Sequence, residues 1–156
     1  MEHHMARMYT IGEASELLGM PASTIRFYEK NGLIPNMQRT GSGIRLFDDE
    51  DLEWMRFVEH FKASGMPIKE IRTFIELYQQ GDSTIEERRR IINNRRDAVE
   101  RQIAELELAR DFIKYKCWFY DVAAEAGTCD VPREMPPEKM PEEMRRIKER
   151  CGISSF

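Results

Sequence analysis

Ser23, Arg26, Phe27 and Lys30 recur at a spacing that, at about 100° per residue, gathers them on one side of a helix, while Ile25 and Tyr28 point to the other side. A guanidinium and an ammonium on a face that also carries a hydroxyl and a ring suit phosphates and base edges in a major groove. An ordinary amphipathic helix with snorkelling cations would use the same residues without any ligand. The following residues separate these readings. Gly32 suits a left-handed helix stop, Pro35 prevents the helix from resuming, and Arg39 and Arg45 stand either side of Gly41-Ser42-Gly43, a sequence for a short hairpin tip. Upstream, Thr10 can cap a short helix from Ile11 to about Leu18, with Glu13 completing a capping box and Gly19 ending it. Helix, tight turn, helix and wing follow in order, and Thr10, Ser23, Thr24, Arg26, Phe27, Lys30, Arg39 and Arg45 form the candidate DNA-binding set.

Catalysis would need a nucleophile with a histidine, paired carboxylates in an apolar setting, or a glycine-rich phosphate loop. None occurs in a suitable context, so the sequence predicts no enzyme and no cofactor. Cys117, Cys129 and Cys151 are odd in number and lack paired spacing, which predicts reduced thiols. Cys117 and Cys129 are too far apart for a short loop to gather around one ion, and His3, His4 and His60 offer no ligand set, so no metal site is predicted. Lys114 and Lys116 would favour the thiolate of Cys117, which makes it a candidate electrophile or redox sensor; the plainer reading is a small buried thiol that only packs.

The formal net charge of -4 suits a nucleic-acid binder only once its distribution is read. Residues 21–47 hold four cations against one acid, Glu29, whereas residues 48–59 hold six acids and Arg56. DNA would meet the first stretch. No apolar run approaches the roughly 18 residues that cross a bilayer, and no secretion-signal core is present, so a cytoplasmic protein without a membrane partner is expected. An apolar fraction of 41% is low for one compact core and fits a small domain with an extended element.

The elements that must position these residues can be read from periodicity. Asp48 caps a helix to about Ala63, whose Leu52, Trp54, Met55, Phe57, Val58 and Phe61 cover more than half its circumference and predict extensive burial. Gly65 and Pro67 then separate it from a helix striped by Ile68, Ile71, Ile75 and Tyr78. Residues 79–84 form a polar boundary, with Ser83 and Glu86 spaced as a capping box. Ile85, Ile92, Val99, Leu106 and Ile113 recur every seven residues, a coiled-coil seam that would extend about 45 Å by Tyr115 and needs a partner helix. A second copy is the simplest partner, hence a homodimer, although Arg88, Arg95 and Gln102 at the alternate heptad positions weaken a long symmetric zipper. The helix continues through Cys117, Trp118, Phe119 and Tyr120, a candidate sensing cluster, and stops at Gly127. Those aromatics either line an effector pocket or simply pack. A proline-rich connector and an amphipathic helix bearing Met140, Met144, Ile147 and Cys151, expected to dock on the body, complete the chain.

Tyr9-Thr10-Ile11-Gly12-Glu13-Ala14, Thr24-Ile25-Arg26-Phe27-Tyr28-Glu29, Gly32-Leu33-Ile34, Gly43-Ile44-Arg45-Leu46-Phe47 leading into Asp51-Leu52, and Gly65-Met66-Pro67-Ile68-Lys69-Glu70-Ile71 closely resemble the DNA-binding domain of the MerR family of bacterial transcription regulators. Phe27, Ile44 and Phe47 stand where that family often has tyrosines, so phosphate bonds from those hydroxyls are lost. The resemblance implies a mainly α protein: a winged helix-turn-helix DNA-binding domain with a small β wing at residues 8–80, a long dimerisation coiled-coil helix at 83–126, and a short C-terminal helical tail at 127–156 as the candidate effector region. It also implies antiparallel pairing, a double-stranded promoter DNA target, bacterial RNA polymerase as partner there, and deformation of an overlong promoter spacer on receipt of a signal, which a small-molecule effector would supply. Metal-sensing relatives carry a ligand where this chain has Asp82-Ser83-Thr84. The alternatives are an architectural or excisionase-like DNA-binding protein without an effector, which would lack the long helix and aromatic tail, and a thiol-based metal or electrophile sensor.

Overall fold

Thr10 starts the first helix, α1 (Ile11–Leu18): its hydroxyl accepts from the Glu13 amide at 3.3 Å while the Glu13 carboxylate accepts from the Thr10 amide at 2.8 Å. The computed structural model describes residues 7–35 and 38–154, with the side chains of Gln38 and Arg39 left aside; His3 and His4 lie outside the described residues. The chain divides into two compact units, residues 1–99 and 100–156.

In the first unit, Gly19 takes a left-handed φ of 61° and turns the chain into α2 (Ala22–Lys30). Gly32, at φ 69°, stops α2 as predicted. A two-stranded antiparallel wing follows, β1 (Gln38–Arg39) and β2 (Arg45–Leu46), with Arg39 opposite Arg45. Tyr9 and Phe47 exchange backbone hydrogen bonds of 2.7 and 2.9 Å, stitching the start of the chain to the end of the wing. Asp48 then caps α3 (Asp49–Ala63), and α4 (Ile68–Gln79) packs across it. Ile25, Tyr28, Leu33, Phe47, Met55, Val58 and Ile71 have no exposed surface and form the centre of one core. Full burial of each such side chain stabilises the unit by about 1.5–3 kcal/mol before conformational entropy is subtracted.

Three predicted details change. Phe57 is 50% exposed, because α3 has more apolar circumference than its neighbours cover, and the carboxylate of Asp51 is buried instead. On α4 the stripe shifts: Leu77 is buried and Tyr78 is 42% exposed. The Ser83–Glu86 capping box does not form. With Gly81 at φ 83°, the chain enters a 3₁₀ turn (Asp82–Thr84) that brings Thr84 to the end of α4, where its hydroxyl lies 2.6 Å from the Leu77 carbonyl and 2.9 Å from that of Gly81; Glu86 pairs with Arg89.

The long helix α5 (Ile85–Ala126, 42 residues) begins in the first unit and ends at Gly127, φ 72°. Within the first unit Arg88 lies over the Tyr78 ring and donates to the Gly81 carbonyl, and Arg95 pairs with Glu70 at 3.4 Å. These two alternate-heptad cations therefore turn back onto α4. Ile85 and Ile92 remain exposed on this unit, as do Ile103, Leu106 and Ile113 on the second.

In the second unit Tyr115 on α5 is buried with Met140, Met144 and Ile147, and Trp118 and Phe119 pack against that cluster. The unit also contains a short α6 (Asp130–Arg133), and Met144 and Ile147 of the cluster come from α7 (Glu142–Arg150), the docked tail helix expected from the methionine periodicity. Arg150 pairs with the buried Asp111, and Lys114 with Glu143, fastening α7 to α5.

Candidate nucleic-acid interface

α2 buries Ile25 and Tyr28 and leaves Ser23, Arg26, Phe27 and Lys30 exposed on its outer side. The seat is firm: the Lys62 ammonium donates to the Tyr28 hydroxyl at 3.0 Å and lies 5.0 Å over its ring, fixing α2 against α3. Pro21 begins α2 without a side-chain cap; the Thr24 amide donates to the Pro21 carbonyl at 2.9 Å, so the amides of Ala22 and Ser23 are the ones open to water or an anion, which the helix dipole favours there. Thr24 is half-buried in that first turn. Thr10, by contrast, spends its hydroxyl on Glu13, whose carboxyl is held below the usual range by hydrogen bonds from the Thr10 amide and hydroxyl.

The wing turns at Gly43, φ 81°, with the Thr40 amide donating to the Ile44 carbonyl at 2.8 Å and the Thr40 side chain receiving the Ile44 amide at 3.0 Å. Arg45 forms an ion pair with Glu29 of α2, both partly sheltered. That pair fixes the wing against α2 through the Nε of Arg45, and the guanidinium carries further N–H groups able to donate to an anion. Arg39 stands opposite Arg45 through its backbone; its side chain lies outside what is described. Ile44 is exposed at the wing, whereas Phe47 is wholly buried and belongs to the core.

Behind the wing sits a cluster of carboxylates. Asp48 and Asp51 cap each other's amides at 2.9 and 3.1 Å, and burial pushes the Asp51 carboxyl up to about 6. Tyr9 donates to Asp49 at 2.8 Å, which raises the phenol above its ordinary value. Sequence reasoning missed Glu29 and Lys62 as positioning groups, because each acts through a contact that only the folded chain creates; Asp51 was missed as well, although its capping-box spacing from Asp48 was a local signal. It also missed Arg7, exposed and 5.2 Å over the Tyr9 ring, for which a basic residue just before the first helix was the available signal.

The candidate sensing residues divide. Trp118 and Phe119 pack on the tail core, Tyr120 is 60% exposed, and Cys117 is an exposed thiol, which overturns the buried-thiol reading. The reason is helical phase: with Tyr115 facing the tail, a residue two further on points away. Lys114 is engaged by Glu143, and Lys116 lies over the Phe112 and Phe119 rings. Among the described residues no three His, Cys, Asp or Glu side chains gather where an ion could be held, and no helix is long and apolar enough to cross a membrane.

Residues 9–77 match the family model for MerR HTH regulatory proteins, and residues 52–114 match a second model described as MerR, DNA binding. An uncharacterised HTH-type transcriptional regulator of Haemophilus influenzae is 42% identical over 120 residues, 77% of this chain and 89% of that protein. Among solved structures, HiNmlR, a MerR family regulator lacking the sensor domain and bound to promoter DNA, is 41% identical with a TM-score of 0.69, covering 80% of this chain and 99% of that one. A MerR family regulator from Listeria monocytogenes is 33% identical with a TM-score of 0.70, covering 82% and 99%.

Proposed function

The chain belongs to the MerR family of HTH regulatory proteins and is a DNA-binding transcription regulator; from that premise we propose that it acts as a homodimer that deforms promoter DNA in response to a signal received at its C-terminal part. α2 enters a major groove with Arg26 and Lys30 toward the DNA and with Ser23, Thr24 and Phe27 alongside, while Arg39 and Arg45 hold the flanking backbone from the wing. Thr10 contributes by fixing the start of α1. The observation that carries this reading is the outer face of α2: exposed cations over a wholly buried back, braced to the wing by the Glu29–Arg45 pair.

Pairing is supported by the exposed stripe of α5. Ile92, Ile103, Leu106 and Ile113 are apolar residues at 38% to 70% exposure on a helix otherwise rich in charged residues, a pattern that costs free energy until a second helix covers it. Antiparallel pairing, as the family implies, sets the half-site spacing. A signal then tilts the two reading heads, and bending an overlong spacer lets bacterial RNA polymerase engage both promoter elements, with deformation energy as the lever. Trp118, Phe119, Tyr120 and the thiol of Cys117, toward the C-terminal end of α5 beside the tail core, are the candidates for a sensing role.

Selection of bound genomic fragments followed by electrophoretic titration on the recovered promoter tests the reading. A palindromic site with an overlong spacer, bound by two copies, is expected. A monomer in ultracentrifugation, or no retention of that duplex at low salt, refutes it.

A further inference from the structure

Of the four cations on α7, Arg146 is paired with Glu142 and Arg150 with Asp111. Arg145 and Lys148 are half-buried, and no carboxylate among the described residues lies within ion-pair distance of either. Both line a cavity of about 440 Å³ whose apolar wall is Pro137, Met140 and Ile153; one acid, Glu149, also lines it. Lys148 and Ile153 are shared with a narrow cleft bounded by Tyr115 and Phe119, where Lys116 and Arg133 add two more cations. Arg133 is held by Asp130, so the cleft cations differ in their freedom to move.

Sheltering a cation without a counter-charge is unfavourable, and apolar cavities of roughly 300–1,000 Å³ with a few oriented polar groups are the form that small-ligand sites take. We propose that this cavity binds an amphipathic carboxylate: a single anionic head between Arg145 and Lys148, and an apolar body along Met140, Pro137 and Ile153. The guanidinium fork matches a carboxylate in two parallel bonds. Glu149 on the same wall disfavours a dianion such as a phosphate monoester, and the extent of apolar lining disfavours a small inorganic anion. A ligand there touches both α7 and the turn after it, beside the Tyr115 core that holds α7 to α5, so occupancy stabilises the docked tail. As a signal for transcription this site rests on the function proposed above; as a binding site it does not.

The test is calorimetric titration of the full chain, without DNA, using 4-phenylbutyrate and its uncharged amide and cationic amine counterparts. The carboxylate is expected to bind saturably and the amide and amine at least about tenfold more weakly. Arg145→Gln combined with Lys148→Gln is expected to reduce carboxylate affinity by a similar factor while leaving ligand-free operator binding unchanged. Equal affinity for carboxylate and amide, an unaltered affinity in the double variant, or no saturable binding at millimolar ligand overturns the proposal. Carboxylate binding by a protein that fails to retain its promoter would sustain the site and refute the regulator reading instead.

Discussion

The DNA-reading unit and the C-terminal unit use aromatic residues to opposite ends. In the first, Tyr28 and Phe47 vanish into a cluster of fifteen buried side chains that backs α2 and the wing, and Lys62 further pins Tyr28 from α3. In the second, four buried side chains headed by Tyr115 hold α7, with Trp118 and Phe119 only half-covered. A surface that must present cations at fixed spacing gains from a core too large to open locally. A tail held by a small core sits at the low-stability end, where ligand binding can change its population.

The comparison can be broken most forcefully at Ile71, wholly buried in the first unit. Ile71→Ala is expected to cost about 2–5 kcal/mol of stability and to abolish DNA retention at growth temperature, whereas Met144→Ala lowers protection of the tail alone. Hydrogen exchange by mass spectrometry separates the two; equal loss in both units from either change would show that they share one core.

A second test concerns the charge of Asp51. Its carboxyl titrates near 6 in the folded chain, against an ordinary value of 3.8, because burial opposes ionisation. The folded state therefore holds this proton more tightly than the unfolded state, and its contribution to stability falls as pH rises from about 4 to about 6, then levels off. Asp51→Asn keeps an acceptor for the Asp48 amide, removes the buried charge, and is expected to raise stability by about 2–3 kcal/mol at pH 7.5 with the gain fading toward pH 4. Chemical denaturation across that range checks the sign; a pH-independent difference would assign the effect to packing.

Smaller effects sharpen the division between seat and surface. Arg26→Ala is expected to weaken operator binding by about 1–3 kcal/mol and flatten the salt dependence without moving the melting temperature. An unchanged affinity removes Arg26 from the interface. Glu29→Gln frees the wing from α2 and is expected to cost about 0.5–1 kcal/mol in operator affinity, mostly as faster dissociation. Because Glu29 bears a charge that DNA itself repels, tighter binding by this variant would mean that its repulsion outweighs its bracing of Arg45.

Residues that act over one helical turn were legible from the sequence. Thr10 with Glu13, the stops at Gly19, Gly32 and Gly127, and the burial of Ile25 and Tyr28 each depend on spacing alone. Ser83 with Glu86 has the same local spacing as Thr10 with Glu13, yet Thr84 takes the position, since the orientation there is set by the end of α4. Phe57 and Trp54 are equally apolar in sequence, and only the placement of α4 decides that Trp54 is covered while Phe57 is half-open. The Glu29–Arg45 brace is harder still, because it depends on the wing folding back on α2. In the tail, the methionine spacing disclosed that α7 docks, but which thiol faces outward followed from the phase of α5 relative to Tyr115.

The paired amides and carbonyls of Tyr9 and Phe47 lie one residue before the cap of α3 and one before that of α1. The roots of both helices and of the wing are consequently sewn at a single point, and a rotation delivered through α3 reaches the wing with no slack to absorb it. On the proposed function, a tilt of the reading head would carry α1, α3 and the wing together and leave their internal geometry unchanged.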